Sequence, residues 1–227
     1  PHLFSSAASD VYKRQSYHGV TVAAASLTGL PVTQNHFDLP VDALGILRTD
    51  HPHYYRGKEE GESENQFVDR IVSNLENLII SENPETIAAF IAEPITGASG
   101  VIVPPEGYYE KVQSVLSKYN IMFWADEVIT GFGRTGSDFG CTTMNIHDPD
   151  MMTFAKQLSS AYMPISASAI RRDVYEAMID QSAAAGAFGH GYTYSGHPVA
   201  CAVALRVLEI YERDNICLLY TSPSPRD

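Results

Sequence analysis

Tyr119-Asn120-Ile121-Met122-Phe123-Trp124-Ala125-Asp126-Glu127-Val128 and Asp150-Met151-Met152-Thr153-Phe154-Ala155-Lys156 are two short apolar runs, each delivering a charged residue at its C-terminal end. That is the edge where open α/β sheets hold their ligands. A carboxylate, Asp126, and an amine, Lys156, presented on one sheet edge suit pyridoxal phosphate (PLP). Its aldehyde needs a lysine to condense with, and its pyridine nitrogen needs an anion to stay protonated.

Outward from these runs, strand and helix patterns alternate. Glu64 to Ile80 places Phe67, Ile71, Leu75 and Leu78 at helical spacing, and Asn83-Pro84 ends the helix. Thr86 to Ala92 reads as a buried strand ending at Glu93-Pro94. Gly107 to Tyr119 predicts a second amphipathic helix through Tyr108, Val112, Val115 or Leu116, and Tyr119. Ile165 to Ile170 reads as a further strand, and Pro198 to Asp214 as a closing helix with Pro198 in its first turn. Strands separated by helices predict an α/β fold, a mostly parallel sheet with helices on both faces. There is no internal repeat.

The chain ends read differently. Ser5 to Gln15 and Cys217 to Asp227 resemble translated sequencing adaptors. Asp10 to Gln15 can be written GAT GTG TAT AAG AGA CAG, whose reverse complement in a shifted frame encodes Cys217-Leu218-Leu219-Tyr220-Thr221. The expected division is therefore 1–15 non-native, 16–216 a PLP-binding large domain, and 217–227 non-native. Both tails are expected to make few buried contacts. The abrupt ends also lead us to expect a piece of a longer protein.

Charge and cysteine usage narrow the class. The chain carries 15 Lys and Arg against 27 Asp and Glu, a net charge of −12. That sign disfavours nucleic acid or an anionic membrane as partner. Cys141 and Cys201 have no metal-like spacing, so we expect no metal and a reducing, cytoplasmic setting. Gly131-Phe132-Gly133-Arg134-Thr135-Gly136 matches a dinucleotide-binding string, but lies past the strand and opens no helical period, so we reject that reading. His18, His190 and His197 read as structural hydrogen-bonding groups, since no nucleophile adjoins them.

Five motifs occur in one order: Ser16-Tyr17-His18-Gly19, Ala92-Glu93-Pro94, Asp126 to Gly136, Ala155-Lys156, and Gly191 to Pro198. Together they resemble the class III PLP-dependent aminotransferases of fold type I, nearest the omega-amine:pyruvate branch, over essentially all of Ser16 to Ile216. The resemblance implies a partial large cofactor domain and a role for each matching residue. Lys156 resembles the Schiff-base lysine that also moves the proton. Asp126 resembles the partner of the pyridine nitrogen. Tyr17 and Val128 resemble the residues packed on the two ring faces. Thr193 resembles the hydroxyl that binds the cofactor phosphate of a neighbouring subunit, implying a homodimer with a shared site. Glu93 is placed near the ring at a strand end.

The implied reaction moves an amino group from an amine or omega-amino acid to a keto acid such as pyruvate. Ile129, where the ornithine and 4-aminobutyrate branches usually carry glutamine, favours the omega-amine:pyruvate branch. Gln157 stands where relatives commonly have glycine. The family's upstream phosphate-binding loop and downstream carboxylate-binding arginine are not in this chain, so little activity is expected of it alone. Two alternatives stay open: a noncatalytic remnant or dimerisation protein on the same fold, and a PLP mutase or decarboxylase of the same family.

Overall fold

The computed structural model describes residues 9–13 and 15–217. In chain order these form β1 (Ser9–Lys13), α1 (Val22–Leu27), β2 (Ile46–Thr49), α2 (Tyr54–Gly57), α3 (Glu64–Ser81), β3 (Ile87–Ala92), α4 (Tyr108–Lys118) and β4 (Met122–Asp126). There follow α5 (Gly140–Thr143), β5 (Met151–Phe154), β6 (Ala167–Ile170), α6 (Arg172–Ala185) and α7 (Pro198–Arg213). The six strands make one sheet in the order β2-β1-β3-β4-β5-β6. The neighbours from β2 through β5 pair in parallel, and only β5 with β6 is antiparallel. A mostly parallel α/β sheet is what the alternating pattern predicts. The antiparallel edge arises because no crossover helix separates β5 from β6, and a parallel pair needs one.

The register places Phe90 opposite Phe123 and Ala92 opposite Ala125. These four share a face with period two, and α3 and α4 pack over it. Phe67, Leu75, Ile79, Tyr109 and Val112 are at most 1% exposed there, each burial contributing about 1.5–3 kcal/mol for a large apolar side chain. The rings of Phe90 and Phe123 meet edge-on at 5.6 Å. On α3 the inward row is Phe67, Ile71, Leu75 and Ile79; Leu78, which the sequence spacing puts inside, is only partly buried. An unbroken step of four residues keeps the row on one face, and Leu78 falls beside it.

Helix boundaries follow their caps. Ser63 Oγ accepts the Gln66 amide at 3.3 Å while Gln66 Oε1 accepts the Ser63 amide at 2.9 Å, a reciprocal capping box. Gly107 starts α4 from a left-handed φ of +76°, and Pro198 opens α7. Arg70 on α3 holds Glu62 through both Nε and Nη2, and this pulls the Glu62 carboxyl down to about 2. No described helix is long and apolar enough to cross a membrane.

One expectation is overturned. Ser9–Lys13 lies within the segment assigned to an adaptor, yet its backbone forms β1 in the sheet interior, with Val11 paired to both Leu47 and Phe90. A parallel slot between β2 and β3 leaves two rows of backbone groups to satisfy, and an extended Val-Tyr run meets that demand whatever its origin. At the other tail, the Cys217 sulfur lies 3.5 Å from Asp138 Oδ1. Residues 1–8, 14 and 218–227 fall outside the described set, so the expectation for the rest of the tails lies outside it too. Replacing the cap, Ser63→Ala, should lower unfolding free energy by about 1 kcal/mol in a denaturant titration, with the slope unchanged.

Candidate active site

Parallel strands bring their C-terminal ends to one edge, and successive strands lie about 4.8 Å apart. Along that edge, in spatial order, come Tyr17 and His18 after β1, Glu93 after β3, Asp126 at the end of β4, and Lys156 just past β5. The chain runs from β1 to one side and then returns to the other, so the topological switch point falls between β1 and β3, where open α/β sheets form their crevice.

The segment after β1 is anchored tightly. The His18 amide donates to Thr28 Oγ1 at 2.9 Å, and the Gly29 amide donates to the Ser16 carbonyl at 2.8 Å. Gly19, at φ +125°, turns the chain where a Cβ would sit 3.1 Å from that of Ala24. Glu93, 3% exposed, straps this segment to β3. Its Oε1 accepts the Tyr17 amide at 3.0 Å and its Oε2 accepts the Gly97 amide at 2.8 Å. The Tyr109 hydroxyl donates to its carbonyl at 2.6 Å. In this structure Glu93 holds Tyr17 through the backbone.

Asp126 is 6% exposed. Its Oδ1 accepts the Val128 amide at 3.0 Å, and its Oδ2 lies 2.8 Å from His18 Nδ1. A backbone amide can only donate, which makes Oδ1 an acceptor. With Oδ2 as a carboxylate acceptor, the His18 proton lies on Nδ1. Nε2 of His18 is buried without a hydrogen-bond partner among the described residues. The structural role expected for His18 thus has a definite object, the carboxylate of Asp126.

Beside Asp126 stands a second buried acid that the sequence reading left unassigned. Glu127 is fully buried. It receives the Thr130 hydroxyl at 2.5 Å, the Gly140 amide at 2.9 Å and the Cys141 amide at 2.7 Å. Adjacent residues at a strand end face opposite ways, so Asp126 serves the sheet edge while Glu127 folds the glycine-rich loop back against α5. Burial and the Glu127 charge push the thiol of its neighbour Cys141 well up. Phe132, Phe139 and Phe154 close the loop as a ring cluster with centroids 5.4–5.7 Å apart.

Lys156 follows β5, whose Thr153 pairs with Asp126, so amine and carboxylate come from neighbouring strands with none between. It is exposed, adopts a left-handed φ of +40°, and has no carboxylate partner among the described residues. Val128 and Tyr17 are half-buried near the same edge. Thr193 is not brought there; it sits in an exposed stretch with Tyr192 at 75% and Tyr194 at 79% exposure. A cavity of about 1070 Å³ lies elsewhere, at the N-terminal ends of β4 and β5, lined by Phe123, Asp150, Arg171 and Phe188 among others. Neither Asp126 nor Lys156 lines this cavity. No cluster of three or more metal-ligating side chains occurs among the described residues.

The α/β sheet thus presents a buried acid and an exposed amine on adjacent strand ends. The profile of the Aminotransferase class-III family matches residues 8–219, and the chain belongs to that family. It is 53% identical over 216 residues to Gamma aminobutyrate transaminase 3, chloroplastic, of Solanum lycopersicum, covering 95% of this chain and 41% of that protein. It is equally 53% identical to Probable gamma-aminobutyrate transaminase 2, mitochondrial, of Oryza sativa subsp. indica, covering 43% of it. Among solved structures, the omega transaminase from Pseudomonas jessenii in complex with PMP superposes with a TM-score of 0.89 at 54% identity. That match covers 92% of this chain and 46% of that one. A transaminase with L-ala gives a TM-score of 0.90 at 52% identity, covering 92% of this chain and 49% of that one. The chain thus spans less than half the length of these relatives.

These names correct the cytoplasmic expectation, because the plant relatives are chloroplastic and mitochondrial. Unpaired cysteines report only a reducing environment, which is not unique to the cytosol. For the site itself, Glu127→Ala should leave three buried donors without an acceptor. At about 1–3 kcal/mol each, the loss should be on the order of 3 kcal/mol or more, read as a lowered denaturation midpoint.

Proposed function

We propose that this chain is the cofactor-binding part of a PLP-dependent transaminase that moves an amino group from an amine or omega-amino acid to a keto acid such as pyruvate. The observation that carries this is the placement of Asp126, buried and fixed by His18 and Val128, one strand from the exposed amine of Lys156. The residues fit the cofactor. A buried carboxylate with both oxygens oriented suits a protonated ring nitrogen, and an amine held in no ion pair among the described residues suits an aldehyde. PLP itself supplies the electron-withdrawing ring that makes the substrate carbon acidic.

The chain's residues then divide the work. Lys156 Nζ tethers the cofactor and moves the proton at the substrate carbon. Asp126 Oδ keeps the ring nitrogen protonated, and His18 holds Asp126 to that task. Tyr17 and Val128 pack the ring faces, with Glu93 keeping Tyr17 in position. Thr193 reaches the cofactor phosphate of a partner subunit in a homodimer. The exposure of Phe188, Tyr192 and Tyr194 around it supports that assignment, since aromatic residues are enriched at interfaces and an exposed cluster calls for a covering surface. When bound, PLP would carry the amino group between the donor and the keto acid. Omega-amino acids as donors agree with the plant relatives, which are named for gamma-aminobutyrate.

The test uses the reading frame completed to the length of the relatives. PLP should give an absorption near the visible edge and a borohydride-fixed adduct on Lys156, and Lys156→Ala should abolish both. Asp126→Asn should still take up PLP but turn over about a hundred- to a thousand-fold more slowly, roughly 2.7–4 kcal/mol of lost electrostatic stabilisation. Turnover by the Lys156→Ala protein would sink the assignment. Thr193→Ala should raise the Kd for PLP more than it lowers kcat, by equilibrium dialysis against steady-state rates.

A further inference from the structure

Lys156 stands at the start of a turn whose backbone is held in conformations that L residues rarely adopt. Its own φ is +40°, and Ser160 and Ala161 follow at +47° and +62°. None of the three is glycine. Left-handed backbone at such positions persists only where the surroundings over-determine it. Within the turn, the Leu158 amide bonds Ala155 at 2.9 Å, and Ser159 Oγ donates to the Met163 carbonyl at 2.6 Å. Both Leu158 and Ser159 are buried, so the turn is fixed from below.

The remaining restraint comes from far along the chain. Tyr211, on α7 and 54 residues from Gln157, donates its hydroxyl to the Gln157 carbonyl at 2.9 Å. That carbonyl also accepts the Ser160 amide at 3.2 Å, so both its lone pairs are used. Because the Tyr211 proton is committed to Gln157, the hydrogen bond between Tyr211 and Ser160 has Ser160 Oγ as its donor. A single phenol oxygen therefore joins the residue directly after Lys156 to the first left-handed residue at the far side of the turn.

We propose that Tyr211 is a positioning residue for Lys156: its hydroxyl clamps the left-handed turn and so fixes where the amine is presented on the sheet edge. This rests on the reading of Lys156 as the amine that captures PLP. The hydroxyl touches neither cofactor nor substrate; it acts through Gln157 and Ser160. It also ties α7, the helix following the exposed Thr193 segment, to the lysine turn.

The experiment compares the reading frame completed to the length of the relatives with its Tyr211→Phe variant, which keeps the ring and removes only the hydroxyl. Amide hydrogen exchange is followed without cofactor. Leu158, Ser159 and Ser160 should exchange about tenfold faster in the variant, the scale of one or two lost hydrogen bonds, while Trp124 and Ala125 in β4 keep their protection. Unchanged exchange in the turn overturns the clamp. Acceleration spread equally to β4 overturns it as well, since that is a general loss of stability. PLP is then added, and the growth of absorption at the visible edge is timed, with borohydride fixation and peptide mass identifying the lysine. Slower capture, still at Lys156, is the expected result. Loosened amides with wild-type capture overturn the positioning role alone. Fixation at another lysine overturns the functional reading and this role with it.

Discussion

Two adjacent carboxylates, Asp126 and Glu127, are taken out of water at the end of β4, and an ionised acid survives there only if enough donors surround it. That demand organises the neighbourhood. Glu127 draws in two backbone amides and a hydroxyl from the loop and α5. Asp126 draws in a backbone amide and an imidazole from the segment after β1. The strand's alternation sends the two sets to opposite sides, so one acid secures the loop and the other arms the edge.

Glu93 repeats the device one strand away, with both oxygens on backbone amides from different loops. Three buried acids thus act largely as acceptors for main-chain groups at the ends of parallel strands. Such ends leave amides with no ladder partner, and a short carboxylate satisfies several at once. The result is a rigid rim from β1 to β4. Lys156, beyond β5, is the exposed and strained exception, and its turn depends on hydrogen bonds supplied from α7.

What the sequence made readable were the features carried by local pattern. The α3, α4 and α7 helices, the β3, β4 and β5 strands, and the positions of Asp126 and Lys156 at strand ends all follow from period and punctuation. β2 escaped notice because Ile46-Leu47-Arg48-Thr49 is short and only half apolar, as an edge strand permits. α6 escaped because it buries no residue and so has no reason to keep an apolar stripe. β1 reads as foreign from its codons, but the sheet requires only an extended backbone. Pairings such as His18 with Asp126, 108 residues apart, need the strand order, which no local pattern contains.

Ile129 shows how a single side chain taken as a mark of substrate class is also a packing requirement. A Cβ on Gly97 would come 2.2 Å from Ile129 Cδ1, so the isoleucine occupies space that only glycine leaves open. Gly97 in turn donates its amide to Glu93, whose other oxygen holds Tyr17. A larger residue at 97 would displace Ile129 or pull its amide from Glu93, and either shift reaches the segment that carries Tyr17. Close packing transmits such a change because the interior has no slack to absorb it. The identity of residue 129 is therefore coupled to that of residue 97, and the isoleucine answers to its packing as well as to any substrate.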